Sequence, residues 1–127
     1  MKERSNKKIL IVDDNGRNRK YMKVVLEKSG YETLEAEDGK EGVRVAAEEL
    51  PALIIMDIRM PVMDGVEATK AIKQNPLTKG IPVLIVTSSA MKSDKERITT
   101  ETRCDGYLTK PLDVDVLLDA VVSWMGG

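Results

Sequence analysis

Residues 8–14 read KILIVDD, so a strand-like segment at 8–12, apolar from Ile9 to Val12, ends in two carboxylates. A second run, LIIM at 53–56, is followed by Asp57, and a third, PVLIV, occupies 82–86. Each run is too short for a buried helix, and an unbroken apolar stretch of this length is typical of a strand buried on both faces. The sequence therefore predicts a sheet with helices on both sides.

Amphipathic segments separate these runs. Apolar residues recur at i, i+3, i+4 and i+7 from Val43 to Leu50 and from Leu117 to Trp124, which is the spacing of one helix face. The other predicted elements are a helix around Met22–Leu26 that ends before Gly30, a helix after Gly65, a marginal helix over 92–104, and strands at 31–36 and 106–108. A β-strand followed by a helix thus occurs five times, which predicts a doubly wound parallel α/β sheet.

The composition excludes several classes of function. The chain has 127 residues, and none of its apolar stretches approaches the roughly 20 residues that cross a bilayer. Its 20 basic and 21 acidic residues leave no excess of positive charge for a nucleic acid backbone. A single cysteine favours a reducing compartment. We expect one cytoplasmic domain over 1–127, with a flexible basic tail at 1–6 and no direct contact with membrane or nucleic acid.

Polar side chains follow four of the predicted strands. They are Asp13 and Asp14 after the first, Asp57 after the third, Thr87 and Ser88 after the fourth, and Thr109, Lys110 and Pro111 after the fifth. Ligands of open α/β sheets bind at this edge, so we expect these side chains to lie together. Clustered carboxylates need a cation, and oxygen ligands in a chain without histidine favour Mg²⁺ together with a phosphoryl group.

Each of these residues also has a plain structural interpretation. An Asp pair often caps a helix or fills a turn, Thr87 can simply end a strand, and a lone lysine such as Lys110 is usually a solvated surface charge. Their joint placement at one edge of the sheet favours a site over these separate interpretations.

At these positions the sequence resembles the receiver domains of two-component response regulators, from Lys7 to Trp124. The resemblance is carried by four motifs in order: Asp13-Asp14-Asn15 with Asn18-Arg19, MDIRMPVMDG at 56–65, TSSAM at 87–91 and YLTKP at 107–111. It implies a flavodoxin-like sheet with strand order 2-1-3-4-5 and five helices. It also implies that Asp57 accepts a phosphoryl group from a phosphohistidine of a sensor histidine kinase or histidine phosphotransfer protein.

The resemblance further implies a set of metal ligands. Asp14, Asp57 and the backbone carbonyl of Arg59 would hold Mg²⁺, and Asp13 would act through bound water. Mn²⁺ is expected to substitute, because it also takes oxygen ligands.

Further roles near the phosphoryl group are implied in the same way. The Thr87 hydroxyl and the Lys110 ammonium would meet the charge on the phosphoryl oxygens, and Ser88 would line the access of water. The bond between Lys110 and Pro111 is expected to be cis and to aim the lysine inward.

The resemblance also supplies a switch. Phosphorylation would draw the Thr87 hydroxyl inward and let the Tyr107 ring enter the vacated space. This would change the face built by the fourth helix, fifth strand and fifth helix, which signals to a downstream protein whose identity the sequence does not give. The fifth helix has surplus apolar residues, Val114, Leu118, Val122 and Met125, which a partner or a second copy of the chain would cover.

Two other function classes compete with a phosphoacceptor switch that is not an enzyme. Phosphatases that form an aspartyl phosphate carry a second Asp two residues after the nucleophile, where this chain has Arg59. A degenerate receiver that only mediates contacts would be expected to lose Asp57, the acidic pair or Lys110, and all are present. Both a single-domain regulator and the receiver of a longer hybrid kinase fit the sequence.

Overall fold

Five parallel strands form one sheet, and their order across it, numbered along the chain, is 2-1-3-4-5, as the resemblance implies. The structure is a computed structural model, which describes residues 7–58, 60, 62–87, 96, 98, 102, 104–110 and 112–125. The strands are Lys8–Val12 (β1), Glu32–Ala36 (β2), Leu53–Asp57 (β3), Val83–Thr87 (β4) and Gly106–Thr109 (β5).

Four helices are described, whereas the sequence predicts five. They are Gly16–Lys28 (α1), Gly39–Glu49 (α2), Gly65–Gln74 (α3) and Val114–Met125 (α4). Most of 92–104, where the remaining helix is predicted, lies outside the described residues, although Glu96 and Ile98 have helical backbone. Within the described ranges, no helix has both the length and the apolar character needed to span a membrane.

The core lies on both faces of the sheet, because successive strand residues point to opposite sides. One layer contains Leu10, Val12, Ile54, Met56 and Ile85 with Ala46 of α2 and Ile72 of α3. The other contains Ile9, Ile11, Leu53, Ile55 and Val86 with Leu26 of α1 and Leu117 of α4. Burial on both sides explains why the central strands read as unbroken apolar runs.

Polar caps determine where three of the helices begin. Asn15 accepts hydrogen bonds from two backbone N–H groups at the start of α1, at 2.9 and 3.0 Å. Asp38 accepts one from Glu41 at the start of α2. Asp64 and Glu67 form a reciprocal capping box at the start of α3. Because α1 and α3 begin just after β1 and β3, these caps also shape the loops at the carboxyl edge of the sheet.

The helix predicted as the fifth is α4 of the structure. Its apolar residues are distributed between the core and the surface differently from the prediction. Leu118 and Met125, predicted as surplus, pack against the core. Trp124, predicted on the packed stripe, is 40% exposed, and Val114 and Val122 are exposed as well. The physical reason is that the end of α4 lies beside the edge strand β5, where Trp124 approaches Gly106 and the sheet offers less surface to cover.

Candidate functional site

The carboxyl ends of the strands meet at one edge, and the strand order reverses there between β1 and β3. Such a reversal opens a crevice that serves as the ligand site of open α/β sheets. Asp13 and Asp14 directly follow β1, and Asp57 is the last residue of β3. One carboxylate oxygen from each of these three residues lies within 4.8 Å of the other two. The structure thus brings together the carboxylates that the sequence assigns to one site.

A lysine that directly follows β5 faces this carboxylate cluster. Lys110 Nζ lies 3.2 Å from Asp13 Oδ2 and 3.4 Å from Asp57 Oδ1. The backbone N–H of Lys110 donates to the Thr87 carbonyl at 2.7 Å, which joins the ends of β5 and β4. One ammonium among three carboxylates leaves an excess of negative charge.

The carboxylates differ in their exposure to solvent. Asp13 is fully buried and Asp57 is 7% exposed, whereas Asp14 is exposed. Burial, and after it the negative charge of Asp13, raises the pKa of Asp57 to about 6, and the Lys110 ammonium opposes this rise. The crevice therefore holds a nearly buried carboxylate that lacks sufficient positive charge around it, and it opens to solvent beside Asp14.

The chemistry of this cluster fits a hard divalent cation. The three groups offer only carboxylate oxygens, the ligands that Mg²⁺ prefers, and the exposed Asp14 leaves room for the water that Mg²⁺ retains. A cation among them would also supply the missing positive charge that the raised pKa of Asp57 indicates. The residues present therefore fit Mg²⁺.

Thr87 and Tyr107 both lie near this edge of the sheet. Thr87 is buried at the end of β4, one residue beyond Val86, which pairs with Asp57. Tyr107 lies in β5 opposite Ile85 and is 38% exposed. Ser88, the backbone of Arg59 and the bond between Lys110 and Pro111 lie outside the described residues.

The loop between β3 and α3 packs closely against the backbone of Asp57, the last residue of β3. A Cβ atom on Gly65 would lie 2.0 Å from the backbone oxygen of Asp57, so only glycine fits at this position. The Gly65 N–H donates to the Ile58 carbonyl at 2.8 Å. In the same loop Val62 has a φ of 70°, a conformation that strains a β-branched residue. The loop therefore combines close packing beside Asp57 with local backbone strain.

The structure adds one residue that sequence reasoning noted only as part of a motif. The Arg19 guanidinium donates from Nη1 to the backbone carbonyl of Asp13 at 2.7 Å. In the sequence, the only indication of this contact is that Arg19 lies four residues after Asn15, which places it one turn into α1 on the same helix face as the cap residue. That signal does not reveal the contact, because a long side chain can point in several directions.

Comparisons with known proteins find similarity along most of the chain. The profile of the response regulator receiver domain matches residues 9–122. The polar-differentiation response regulator DivK of Brucella anthropi is 40% identical over 120 residues, which cover 94% of this chain and 97% of that protein. The corresponding DivK of Brucella ovis matches to the same extent.

Solved structures show the same similarity. The receiver domain of a sensor histidine kinase from Pseudomonas aeruginosa, crystallised with a magnesium ion coordinated in its active site cleft, has a TM-score of 0.89 and 30% identity. The match covers 97% of this chain and 100% of that one. Chemotaxis protein CheY4 of Vibrio cholerae has a TM-score of 0.85 and 32% identity, over 92% of this chain and 97% of that one.

Proposed function

The chain belongs to the response regulator receiver domain family, and on this premise we propose that it is a phosphorylation-controlled signalling switch with Asp57 as phosphoacceptor. The observation that carries the proposal is the position of Asp57 in the crevice, between the buried carboxylate of Asp13 and the ammonium of Lys110. A pKa of about 6 leaves Asp57 mostly ionised at neutral pH, as a nucleophile must be.

The proposed chemistry is phosphoryl transfer from a phosphohistidine. An Asp57 carboxylate oxygen forms a bond to phosphorus while the phosphorus–nitrogen bond to the donor imidazole breaks, which gives an acyl phosphate on Asp57. These 127 residues contain no histidine, so the phosphohistidine that donates the group lies outside them, on a sensor histidine kinase or a histidine phosphotransfer protein. The reaction stops after one phosphoryl group per chain, so the protein is a phosphoacceptor and not an enzyme that turns over a substrate.

Three carboxylates would hold the divalent cation in this proposal. Asp14 and Asp57 would bind it directly with the Arg59 backbone carbonyl, and Asp13 would act through water, as in the family. When bound, Mg²⁺ supplies the positive charge that allows an anionic phosphoryl donor to approach an acidic crevice. Mn²⁺ is expected to replace it, because it shares the preference for oxygen ligands.

Two further side chains would meet the transferred group. Lys110 Nζ, 3.4 Å from Asp57 Oδ1, is within reach of an oxygen on a phosphoryl group bound to Asp57. The Thr87 hydroxyl would donate to another of these oxygens. Ser88 would line the path of attacking water, and a cis bond before Pro111 would aim Lys110 inward; both of these assignments rest on the family.

The output of the proposed switch is a change in a protein-binding face. Movement of Thr87 toward the phosphoryl group would let the half-exposed ring of Tyr107 turn inward and alter the surface of β5 and α4. Exposed Val114 and Val122 of α4 offer apolar contact to a downstream protein or to a second copy of the chain. The proposed location is the cytoplasm, where sensor kinases present their phosphohistidine.

Phosphotransfer profiling tests this proposal. Purified sensor kinases and phosphotransfer proteins of the source organism, labelled on histidine, are mixed with the full chain, with Asp57→Asn and with Asp64→Asn. Asp64→Asn is the matched control, because Asn retains helix capping and Asp64 lies outside the carboxylate cluster. We expect at least one donor to label the wild type and Asp64→Asn equally and to leave Asp57→Asn unlabelled. Equal labelling of Asp57→Asn would contradict the proposal.

A further inference from the structure

Arg19 joins the loop after β1 to the end of β2. Its Nη1 donates to the Asp13 backbone carbonyl at 2.7 Å, and its Nε lies 3.1 Å from Glu35 Oε1. Its Nη2 lies 3.8 Å from Glu37 Oε1. All three nitrogens of one guanidinium thus have an oxygen partner, and the side chain is only 15% exposed. Such a planar fork is held in one orientation, which a single flexible ammonium does not achieve.

The clamped carbonyl belongs to the most buried residue of the acidic crevice. The Asp13 N–H donates to the Ala36 carbonyl at 3.1 Å, and Asp13 Oδ1 accepts from the Asn15 N–H at 2.9 Å. Arg19 therefore holds the third polar group of Asp13, its carbonyl, at the point where the chain turns toward Asp14. Loss of this contact would free the peptide that joins the two carboxylates.

We infer that Arg19 is a positioning residue of the acidic crevice, which keeps Asp13 and Asp14 within reach of Asp57 for Mg²⁺ binding. This inference rests on the proposed function, since it concerns the cation site. Arg19 need not touch the cation, because its guanidinium already binds a carbonyl and two carboxylates. Partners that orient metal ligands in this indirect way typically change affinity by about 10- to 100-fold when they are removed.

The direction in which Mg²⁺ affinity changes when Arg19 is replaced distinguishes a positioning role from an effect of its positive charge alone. Removal of a positive charge near an acidic cluster should strengthen Mg²⁺ binding through space, because less repulsion opposes the cation. Loss of positioning should weaken binding instead. Arg19→Gln removes both the charge and the fork, so a weaker affinity indicates that positioning outweighs charge.

A matched control exists at the opposite edge of the sheet. Lys73 Nζ binds the Ile81 carbonyl at 2.7 Å and Asp105 Oδ2 at 2.9 Å, and its side chain is 9% exposed. This is the same kind of clamp, one cation on a backbone carbonyl and a carboxylate, at the amino ends of β4 and β5. Lys73→Gln therefore removes equal charge and destabilises the fold without touching the crevice.

The experiment is calorimetric titration of MgCl2 into the full chain, with thermal unfolding of each variant as a check on folding. We expect Arg19→Gln to bind Mg²⁺ about tenfold more weakly than wild type, Arg19→Lys to bind more weakly by a smaller factor, and Lys73→Gln to match wild type. If Arg19→Gln fails to fold, Arg19→Lys decides by the same criterion.

Equal or tighter binding by the folded Arg19 variant would overturn the inference while leaving the cation site in place. Equally weakened binding by Lys73→Gln would also overturn it, since the effect would then follow from stability alone. Absence of Mg²⁺ binding by wild type would overturn the proposed cation site, and this inference with it.

Discussion

Asp57 is placed where its charge is unfavourable in the absence of a cation. Nearly complete burial and the neighbouring Asp13 raise its pKa from 3.8 to about 6. A carboxyl group whose pKa is higher in the folded than in the unfolded state stabilises the fold only while it is protonated. This contribution is fully present below pH 3.8 and is lost as the pH rises through about 6.

The difference of about two pKa units corresponds to about 3 kcal/mol of unfolding free energy that ionised Asp57 removes at neutral pH. We therefore expect Asp57→Asn, which stays neutral, to stabilise the protein in chelator more at about pH 7.5 than at about pH 4.5. Urea unfolding at both pH values measures this difference. Saturating Mg²⁺ should reduce the difference in stability between Asp57→Asn and wild type, because it stabilises the wild type. An equal stabilisation by Asp57→Asn at both pH values in chelator would contradict the ionisation of Asp57 as the cause.

The residues at strand ends could be predicted from sequence, and the contact of Arg19 could not. Asp13, Asp14 and Asp57 follow apolar runs, and parallel strands deliver their carboxyl ends to one edge whatever the detailed packing. The direction of the Arg19 side chain depends on how α1 packs against β2, which no local pattern specifies. Local patterns thus predict which residues approach the site, but not which distant side chains hold them there.

At the scale of elements, the central strands were easier to predict than the edges. β3 and β4 are buried at every position, so their sequences are unbroken apolar runs. β2 and β5 lie at the edges and contain exposed residues, which weakens the apolar signal. The same edge effect leaves Trp124 partly exposed on a helix face that periodicity predicts to be packed.

The loop between β3 and α3 carries a strain that a single substitution should relieve. Val62 is 78% exposed and has a φ of 70°, which is sterically unfavourable for a β-branched residue and sterically allowed for glycine. We expect Val62→Gly to stabilise the protein by about 1 kcal/mol, measured by urea unfolding. Little packing is lost, because the side chain is mostly in solvent.

The control for this substitution is the converse change at Gly30. Gly30 has a φ of 97°, and a Cβ atom there would meet no other atom within 4 Å, so only the backbone conformation opposes a side chain. Gly30→Ala should destabilise the protein by a similar amount. Destabilisation by Val62→Gly would show that the loop depends on the valine side chain. It would contradict the claim that the backbone conformation of Val62 is strained.

At the scale of the whole molecule, the fold separates the acidic crevice from an apolar surface. The carboxylates lie at the carboxyl edge of the sheet, whereas exposed Tyr107, Val114 and Val122 lie on β5 and α4. The strand that ends beside Lys110 also carries Tyr107, so one element joins the two regions. A change at Asp57 therefore has a short structural path to the proposed protein-binding face.

The most direct test of the central claim is the intact mass of the chain after incubation with acetyl phosphate and Mg²⁺, followed by mapping of the modified peptide. The account predicts a gain of one phosphoryl group, located on Asp57 and lost when the metal is chelated or when Asp57 is replaced by Asn. Phosphate on another residue, equal modification in chelator, or sustained rapid release of inorganic phosphate over many turnovers would contradict it.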